Sequence, residues 1–264
     1  MEKRHLDELQ LQGYTTCKAL FDDKTIAQLR DHLLQYSPAK TDAHEFIYNL
    51  QNKDIFFYTT IIRQPLLRNI LLQCLNDRWY KQIPQDKANF ILRGLVGRSS
   101  GKEALSLHID SFVPATGPYI WNMVVSIALG NSGRDNGCTL VVPGSHRIGE
   151  YATQDWLKHV HDIELDPGDV FIFDSRVWHG AGANKSDTTR WVINATFSRW
   201  WIKQSFDIAG SIPRGFLAEL TEEEMEILGF CNNPPVDEND RIDIKGGYDL
   251  LPTRIQTIPQ KEFQ

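Results

Sequence analysis

The chain has 264 residues, of which 41% are hydrophobic and 23% are charged, as is usual for a globular protein with a sizeable core. Its formal net charge of −6 excludes nucleic acid as the main partner, because phosphate binding needs a basic surface. Its 4 cysteines are scattered singly, which excludes a disulfide framework and a cysteine-rich zinc site. The N-terminus is charged and no long apolar segment occurs, so we expect a cytoplasmic protein with no signal peptide and no contact with a membrane.

The first 88 residues are predicted to be mostly helical. The stretch FDDKTIAQLRDHLLQY repeats apolar residues at helical spacing, Ile26 to Tyr36, after Asp22 or Asp23, either of which can cap a helix. The stretch QPLLRNILLQCL repeats the pattern, with Pro65 suited to a first turn. We expect these helices to support the rest of the domain.

From residue 89 to about residue 202, short runs of β-branched and aromatic residues are separated by turn residues, as in NFILRGLV, ALSLHIDSF, YIWNMVVSIAL, DVFIFD and RWVINATFSRW. This pattern of short strands separated by turns predicts a sandwich or barrel, so the predicted fold class is mainly β with flanking helices. From residue 203, LTEEEMEILGF predicts a short helix with a Thr221–Glu224 capping box, and a polar tail follows. We predict one domain over residues 1–264.

The segment ALSLHIDSF contains a candidate pair of metal ligands, His108 and Asp110. Residues two apart in a strand share a face, so both side chains are predicted to point to the same side. With a second histidine they would form the two-histidine, one-carboxylate set that binds ferrous iron and leaves open positions. The triplet alone is weak, since His5 and Asp7 repeat it and a hydrogen-bonded pair is the alternative.

Four histidines are candidates for the third ligand. His179 follows the strand DVFIFDSRVW at the edge of a Gly-rich turn, which suits a ligand held at a strand end. We interpret His146, in PGSH, as a turn residue with a structural hydrogen bond. His159 and His161 share a face, but no further ligand lies at useful spacing. His179 is therefore the predicted ligand.

Arg190 lies eleven positions after His179, across the turn-rich stretch GAGANKSDTT. If the two flanking strands pair as a hairpin, Arg190 points into the same cavity as His179. A guanidinium matches a carboxylate in bidentate geometry, as the far end of 2-oxoglutarate would require. The alternative is a surface arginine paired with Asp187.

Two further polar features are candidate contacts to co-substrate or substrate. The stretch LRGLVGRSSGKE brings Arg93, Arg98 and Lys102 near the His108 strand. A charge cluster in a Gly/Ser stretch favours a solvated basic loop, and the alternative is that these residues bind an anionic group on a substrate or on 2-oxoglutarate. Asn122 belongs to a strand predicted to line the barrel. It is a candidate contact to the co-substrate, the alternative being that it satisfies a buried backbone group.

Several of these motifs together resemble one known family. HID, DNGCTLVVPGSHR and DPGDVFIFDSRVWHGAGANKSDTTR, in that order, are similar to the phytanoyl-CoA dioxygenase (PhyH) family of Fe(II)- and 2-oxoglutarate-dependent oxygenases, and the likeness covers about residues 6–200. The resemblance implies a double-stranded β-helix, a jelly-roll core of the cupin-like kind. It also implies that His108, Asp110 and His179 bind iron and that Arg190 binds 2-oxoglutarate.

Three positions qualify the resemblance. Ala181 stands where the family often has Ser or Thr, so the co-substrate anchor rests more heavily on Arg190. A tryptophan common in the strand after the HxD motif is replaced near Ser126. Related halogenases carry Ala or Gly where this chain has Asp110, so the resemblance disfavours halogenation.

We therefore predict an Fe(II)- and 2-oxoglutarate-dependent dioxygenase that uses O2 to hydroxylate, or otherwise oxidise, an unactivated C–H bond of a small-molecule metabolite, with release of succinate and CO2. Two alternatives remain. One is a cupin-like metal enzyme that does not use 2-oxoglutarate, which the spacing of Arg190 from His179 disfavours. The other is a non-catalytic barrel that binds a metal or ligand, which the complete ligand set disfavours.

Overall fold

The computed structural model describes residues 2–40, 44–77 and 86–232. Most of the predicted polar tail lies outside these ranges. Contacts between Cα atoms divide the chain into two compact units, Met1–Leu50 with Leu95–Thr196 and Gln51–Gly94 with Phe197–Gln264. The single domain inferred from sequence stays a prediction.

The described helices are α1 (Glu2–Gln12), α2 (Asp23–Leu33), α3 (Leu50–Lys53), α4 (Ile55–Ile62), α5 (Pro65–Leu75), α6 (Ile208–Ser211) and α7 (Glu222–Ile227). The strands are β1 (Tyr14–Cys17), β2 (Ala39–Lys40), β3 (Glu45–Ile47), β4 (Phe90–Ser99), β5 (Leu105–His108), β6 (Asn122–Ala128), β7 (Thr139–Val141), β8 (His161–Ile163), β9 (Val170–Asp174), β10 (His179–Ala181) and β11 (Trp191–Arg199). Short 3-10 helices cover Ser145–Arg147, Gln154–His159 and Arg214–Glu219. Within the described ranges, no helix is both long enough and apolar enough to cross a membrane.

The strands form two sheets, as the fold class predicted from sequence requires. One sheet has seven strands in the order β1-β9-β6-β11-β4-β3-β2, and the other has four in the order β5-β10-β7-β8. Strand β1 pairs antiparallel with β9, so that Tyr14 stands opposite Phe173. The prediction of a mostly helical N-terminal region was incomplete, because β1, β2 and β3 also arise there. The segment YTTC is too short to show strand periodicity, and its pairing with β9 is a long-range contact.

The hydrophobic core of the first unit takes side chains from both sheets. Strands β1, β6 and β9 of the larger sheet and β7 and β8 of the smaller one contribute apolar residues that are less than a tenth exposed. Their members are Tyr14, Val124, Ala128, Phe171, Phe173, Val141 and Ile163, with Leu165 and Val177 from adjoining segments. Two sheets that bury facing apolar sides in this way form a sandwich.

Several local signals read from the sequence are confirmed. The Asp22 side chain accepts a hydrogen bond from the Thr25 backbone N–H and caps α2, which ends at Leu33, before Tyr36. Pro65 stands in the first turn of α5. Thr221 and Glu224 form the predicted capping box of α7. Each of these caps satisfies backbone groups that a helix end leaves unpaired.

Glu226, on α7 of the second unit, is a buried carboxylate with an incomplete set of partners. One oxygen lies 2.9 Å from the Lys87 Nζ, and the other is buried without a hydrogen bond. Burial raises the pKa of Glu226 to about 7, although Lys87 opposes this effect. Between the ordinary carboxyl pKa and about pH 7, the folded state therefore holds a proton that the unfolded chain has lost.

We predict that Glu226→Gln flattens the pH dependence of stability. A raised carboxyl pKa means that folding stability falls as pH rises through the interval between the unfolded and folded values. From about pH 5 to about pH 8 the unchanged protein should lose up to about 3 kcal/mol more unfolding free energy than the variant. Urea denaturation at a series of pH values measures this, with Glu103→Gln, an exposed carboxylate that does not contribute to the pKa shift of Glu226, as the control. Equal pH slopes in all three proteins would contradict it.

Candidate active site

Strands β5 and β10 bring His108 and His179 side by side. The two residues are direct antiparallel partners, and their ring centroids lie 4.2 Å apart. Gly180 permits this close approach, because a Cβ at that position would lie 2.5 Å from the Leu105 carbonyl oxygen. The register between His179 and Ala181 is irregular, which is typical of a bulge that re-aims a side chain near a functional site.

Asp110 completes the group, although not in the way that the sequence pattern predicted. Strand β5 ends at His108, so Asp110 does not belong to the strand as expected, although the two side chains do point to the same side. Instead, the backbone N–H groups of Asp110 and Ser111 donate to the Ser175 carbonyl oxygen at 2.9 and 3.1 Å, which ends the strand and turns the chain back. The Asp110 carboxylate oxygens then lie 3.8 Å from His108 Nε2 and 3.7 Å from His179 Nε2.

Backbone carbonyls orient both imidazole rings. His108 Nδ1 lies 3.0 Å from the Ser106 oxygen and His179 Nδ1 lies 3.0 Å from the Val177 oxygen. A carbonyl only accepts, so each Nδ1 carries the proton and each Nε2 keeps a free lone pair. Both lone pairs are on the ring edge nearest Asp110. This is the tautomer that metal-ligating histidines adopt when a neighbour holds the other ring nitrogen.

The electrostatics of the group suit a cation. One ligand atom from each of His108, Asp110 and His179 lies within 4.8 Å of the other two, and in the described parts of the chain no other group of three acidic, His or Cys residues meets that criterion. Burial, more than the nearby His108, lowers the pKa of His179 to about 4, so its imidazole is neutral at physiological pH. The side chains of His108 and Asp110 are 37% and 38% exposed, which leaves one side of the group open. Two neutral imidazoles and a carboxylate are a donor set that ferrous iron accepts.

Arg190 is a buried cation, 8% exposed, immediately before β11. Its Nη2 donates to the Gly137 carbonyl oxygen at 2.6 Å, and its Nε is buried with no hydrogen-bond partner. No carboxylate of the residues described here forms an ion pair with it, so the alternative pairing with Asp187 does not occur. Burial and the neighbouring Arg98 lower the pKa of Arg190 to about 10, which leaves it charged. An unpaired buried guanidinium is a site for an anion.

The predicted hairpin between the His179 strand and the Arg190 strand is not formed. Strand β10 already has β5 and β7 on its two edges, so β11 belongs to the other sheet. Arg190 is held instead by Ser100, whose N–H donates to the Arg190 oxygen at 2.8 Å and whose Oγ accepts from the Arg190 N–H at 3.1 Å. Its guanidinium still lies beside β7, because Gly137 precedes the strand whose Val141 pairs with His179.

The other predicted contacts have different surroundings. Asn122 is buried at the start of β6, and its backbone oxygen accepts from the Ser175 N–H, the residue that holds Asp110. Arg93 belongs to the second unit, where its Nη2 donates to the Ser205 hydroxyl at 2.8 Å. The assignment of Asn122 and Arg93 to the co-substrate stays a prediction. The favoured solvated loop is wrong for Arg93 and Arg98, since both residues lie within β4. Lys102 is exposed beyond the end of β4, and its Nζ donates to the Ser186 oxygen at 2.7 Å.

The remaining histidine motifs have structural contacts. His146 lies in a 3-10 turn and its Nε2 donates to the Gln10 oxygen at 3.3 Å, in agreement with its interpretation as a turn residue. In the second HxD triplet, His5 is buried against Thr15 at 2.7 Å, whereas Asp7 pairs with Lys3 on the surface. The two side chains of that triplet therefore do not meet.

Sequence reasoning missed three residues that shape the site. Gly180 permits the contact of the two imidazoles, Phe173 packs on His179 with ring centroids 4.6 Å apart, and the Ser175 oxygen anchors Asp110. The backbone roles of Gly180 and Ser175 have no signal in the sequence. Phe173 is recognisable as a strand residue, but its contact with His179 joins two different sheets.

Comparison with known proteins agrees with this architecture. The family model for phytanoyl-CoA dioxygenase matches residues 9–192. The chain belongs to this family. It is a family of Fe(II)- and 2-oxoglutarate-dependent oxygenases, so the predicted iron, 2-oxoglutarate and O2 are confirmed, as is the predicted jelly-roll class of the core.

Individual relatives are distant. An uncharacterized protein of Mycobacterium tuberculosis is 25% identical over 236 residues, 85% of each chain. Among solved structures, HygX from Streptomyces hygroscopicus, with nickel, 2-oxoglutarate and hygromycin B bound, has a TM-score of 0.64 at 13% identity, over 76% of this chain and 89% of that one. The epimerase SnoN, in complex with Fe3+, alpha ketoglutarate and nogalamycin RO, has a TM-score of 0.61 at 16% identity, over 80% and 90%. At this identity, these two structures establish the fold alone.

We predict that Gly180→Ala destabilises the protein and separates the two imidazoles. The added methyl would collide with the backbone of β5, which cannot move as freely as a side chain, so a cost of about 1–3 kcal/mol is expected. Gly182→Ala is the matched control, because a Cβ there has its nearest neighbour at 3.8 Å, an ordinary contact. Urea denaturation of both variants measures the difference. Equal losses of stability would show that Gly180 is not required for the strand contact.

Proposed function

We propose that this chain oxidises an unactivated C–H bond of a small-molecule substrate, most simply by hydroxylation, with iron held by His108, Asp110 and His179 and with 2-oxoglutarate held by Arg190. The reaction consumes O2 and 2-oxoglutarate and yields succinate, CO2 and the hydroxylated substrate. The observation that carries the proposal is the convergence of two Nε2 lone pairs and a carboxylate within 4.8 Å.

The roles of the chain's own residues follow from their surroundings. The carbonyls of Ser106 and Val177 keep both imidazoles in the ligating tautomer, so no proton has to leave Nε2 before a metal binds. Iron with its keto-acid co-substrate supplies the oxidising power, and the protein supplies position. The exposed side of His108 and Asp110 provides the approach for co-substrate and substrate.

Arg190 supports the choice of 2-oxoglutarate as co-substrate. Its Nε lacks a partner, and burial in a low-dielectric site strengthens any pairing with a carboxylate. Ala181 cannot add a hydroxyl contact, so the far carboxylate depends on the guanidinium more than it would beside Ser or Thr. This dependence makes the arginine a sharp test of the proposal.

The surface next to the triad supports an organic substrate. Phe112, two residues after Asp110, is 80% exposed and has a φ of 67°, a backbone conformation rare for a phenylalanine. Val113 is 52% exposed beside it. An exposed aromatic held in a strained backbone at the edge of a site is suited to contact an apolar part of a bound molecule. HygX and SnoN, with hygromycin B and nogalamycin RO bound, support a small molecule over a protein substrate.

The first test is metal binding by the apo-protein under anaerobic conditions. Ferrous iron should bind with one equivalent per chain, and His108→Ala should lose this binding or weaken it at least about tenfold, because a ligand is missing. His146→Ala, which removes a histidine that bonds only to the Gln10 backbone oxygen, is the control and should bind iron as before. Unchanged iron affinity in His108→Ala would show that His108 is not a ligand of the iron.

The second test is the visible charge-transfer band of an iron-chelated keto acid, followed as 2-oxoglutarate is added to the iron-loaded protein. Arg190→Ala should need a 2-oxoglutarate concentration about 10- to 100-fold higher to reach half of the maximal band intensity. This is the loss of affinity expected when charge-assisted hydrogen bonds are removed. Arg134→Ala, a change at an exposed arginine that pairs with Asp162, should leave the titration unchanged. Iron binding without any band would reject 2-oxoglutarate and favour a cupin-like metal enzyme.

A further inference from the structure

A second arginine, Arg98 in β4, interacts electrostatically with residues of the candidate site. The neighbouring Gly97 faces helix α2, since a Cβ there would lie 2.6 Å from a Leu33 methyl carbon. Successive residues of a strand point to opposite sides, so Arg98 points away from α2 and toward the inner side of the sheet.

The electrostatic neighbours of Arg98 agree with that direction. Burial lowers the pKa of Arg98, and the Asp110 carboxylate partly offsets this. In turn, Arg98 helps to lower the pKa of His179 and that of Arg190. One guanidinium therefore interacts with two members of the triad and with the co-substrate arginine.

The contacts that hold Arg98 do not neutralise it. Its Nη2 lies 3.3 Å from His44 Nε2, and its Cζ lies 5.8 Å from the centroid of the Phe46 ring. Burial, Arg98 and Arg190 all lower the pKa of His44, so its ring is neutral and accepts the hydrogen bond. Among the residues described above, no carboxylate lies within ion-pairing distance of Arg98, whereas the buried Arg176 has Asp174 at 2.6 Å.

With iron and 2-oxoglutarate bound in the proposed site, Arg98 would have no negative charge to match its own. The two positive charges of ferrous iron and the one of Arg190 are matched by Asp110 and by the two carboxylates of 2-oxoglutarate. Arg98 remains as an unmatched positive charge in a partly desolvated site, which is costly unless an anion completes it. The co-substrate cannot do so without leaving Arg190 or the metal.

We infer that Arg98 is a substrate-binding residue that pairs with an anionic group, a carboxylate or a phosphate, on the molecule to be oxidised. The inference rests on the proposed function and narrows its substrate class from small molecules to small anions. Phe46 and His44 fix the plane of the guanidinium, so that its remaining N–H donors present a fork to the anion.

The experiment uses protein labelled with [15N]arginine and loaded with Zn(II), a diamagnetic replacement for iron, and then with 2-oxoglutarate. The Arg98 Nε resonance is assigned by its loss in Arg98→Gln. Inorganic phosphate and acetate are titrated separately as probes, and the tighter of the two identifies the class of anion. Arg147→Gln, at an exposed arginine, is the control variant.

The expected result is a saturable shift of the Arg98 resonance with one of the probes. When the Arg190 resonance is used as the reporter, binding of that probe should be at least about tenfold weaker in Arg98→Gln and unchanged in Arg147→Gln. The 2-oxoglutarate affinity of Arg98→Gln should stay close to that of the unchanged protein.

Other outcomes separate the two proposals. Failure of the unchanged protein to bind 2-oxoglutarate would reject the proposed function and this inference together. Normal 2-oxoglutarate binding with no saturable response of Arg98 to either probe would reject the inference alone. Probe binding that persists in Arg98→Gln would assign the anion to the metal. A large shift of Arg98 on 2-oxoglutarate addition, with no later response to the probes, would make it a co-substrate contact.

Discussion

The antiparallel pairing of β5 with β10 is the constraint on which the whole site depends. It sets His108 directly opposite His179, and the missing side chain of Gly180 allows the two backbones to approach. Each ring is then fixed by a backbone carbonyl two residues before it. Because backbone atoms orient both rings, the relative position of the two imidazoles depends on strand register and not on the rotamers of neighbouring side chains. Any change that slips this register alters both imidazoles at once.

The proposed third ligand, Asp110, is held in a different way. Asp110 lies beyond its strand, and its position depends on the Ser175 oxygen. Ser175 belongs to a turn that the buried Asp174–Arg176 ion pair closes, and the Arg176 Nη1 also donates to the Gly117 oxygen. A buried ion pair adds little net stability compared with apolar packing, but it defines one conformation when all its hydrogen bonds are made. Here that conformation presents a carboxylate to the open side of the two imidazoles.

The sequence predicted which residues come together, but not the backbone connections that bring them together. Residue types and motif order identified His108, Asp110, His179 and Arg190 as a group, because metal donors and a guanidinium have recognisable identities. The paths that bring them together were predicted wrongly, with Asp110 inside a strand and Arg190 on a hairpin with His179. Both errors arise from long-range pairing: the Ser175 oxygen ends β5, and β7 occupies the edge of β10 that the hairpin would need. Local periodicity contains no information about either partner.

The two arginines show how the pocket combines stability and function. Arg98 is a like charge that helps to lower the pKa of Arg190, and among the described residues neither arginine forms an ion pair with a carboxylate. A protein selected for stability alone would pair or expose them, as it does with Arg63 and Arg68 beside Glu224 and Glu223. Two unpaired, partly desolvated guanidinium groups destabilise the site when it is empty. Binding of anions would stabilise it, since each bound carboxylate would pair with one of these charges. In the proposed function, neutralising these charges would add to the binding free energy of the co-substrate and of an anionic substrate.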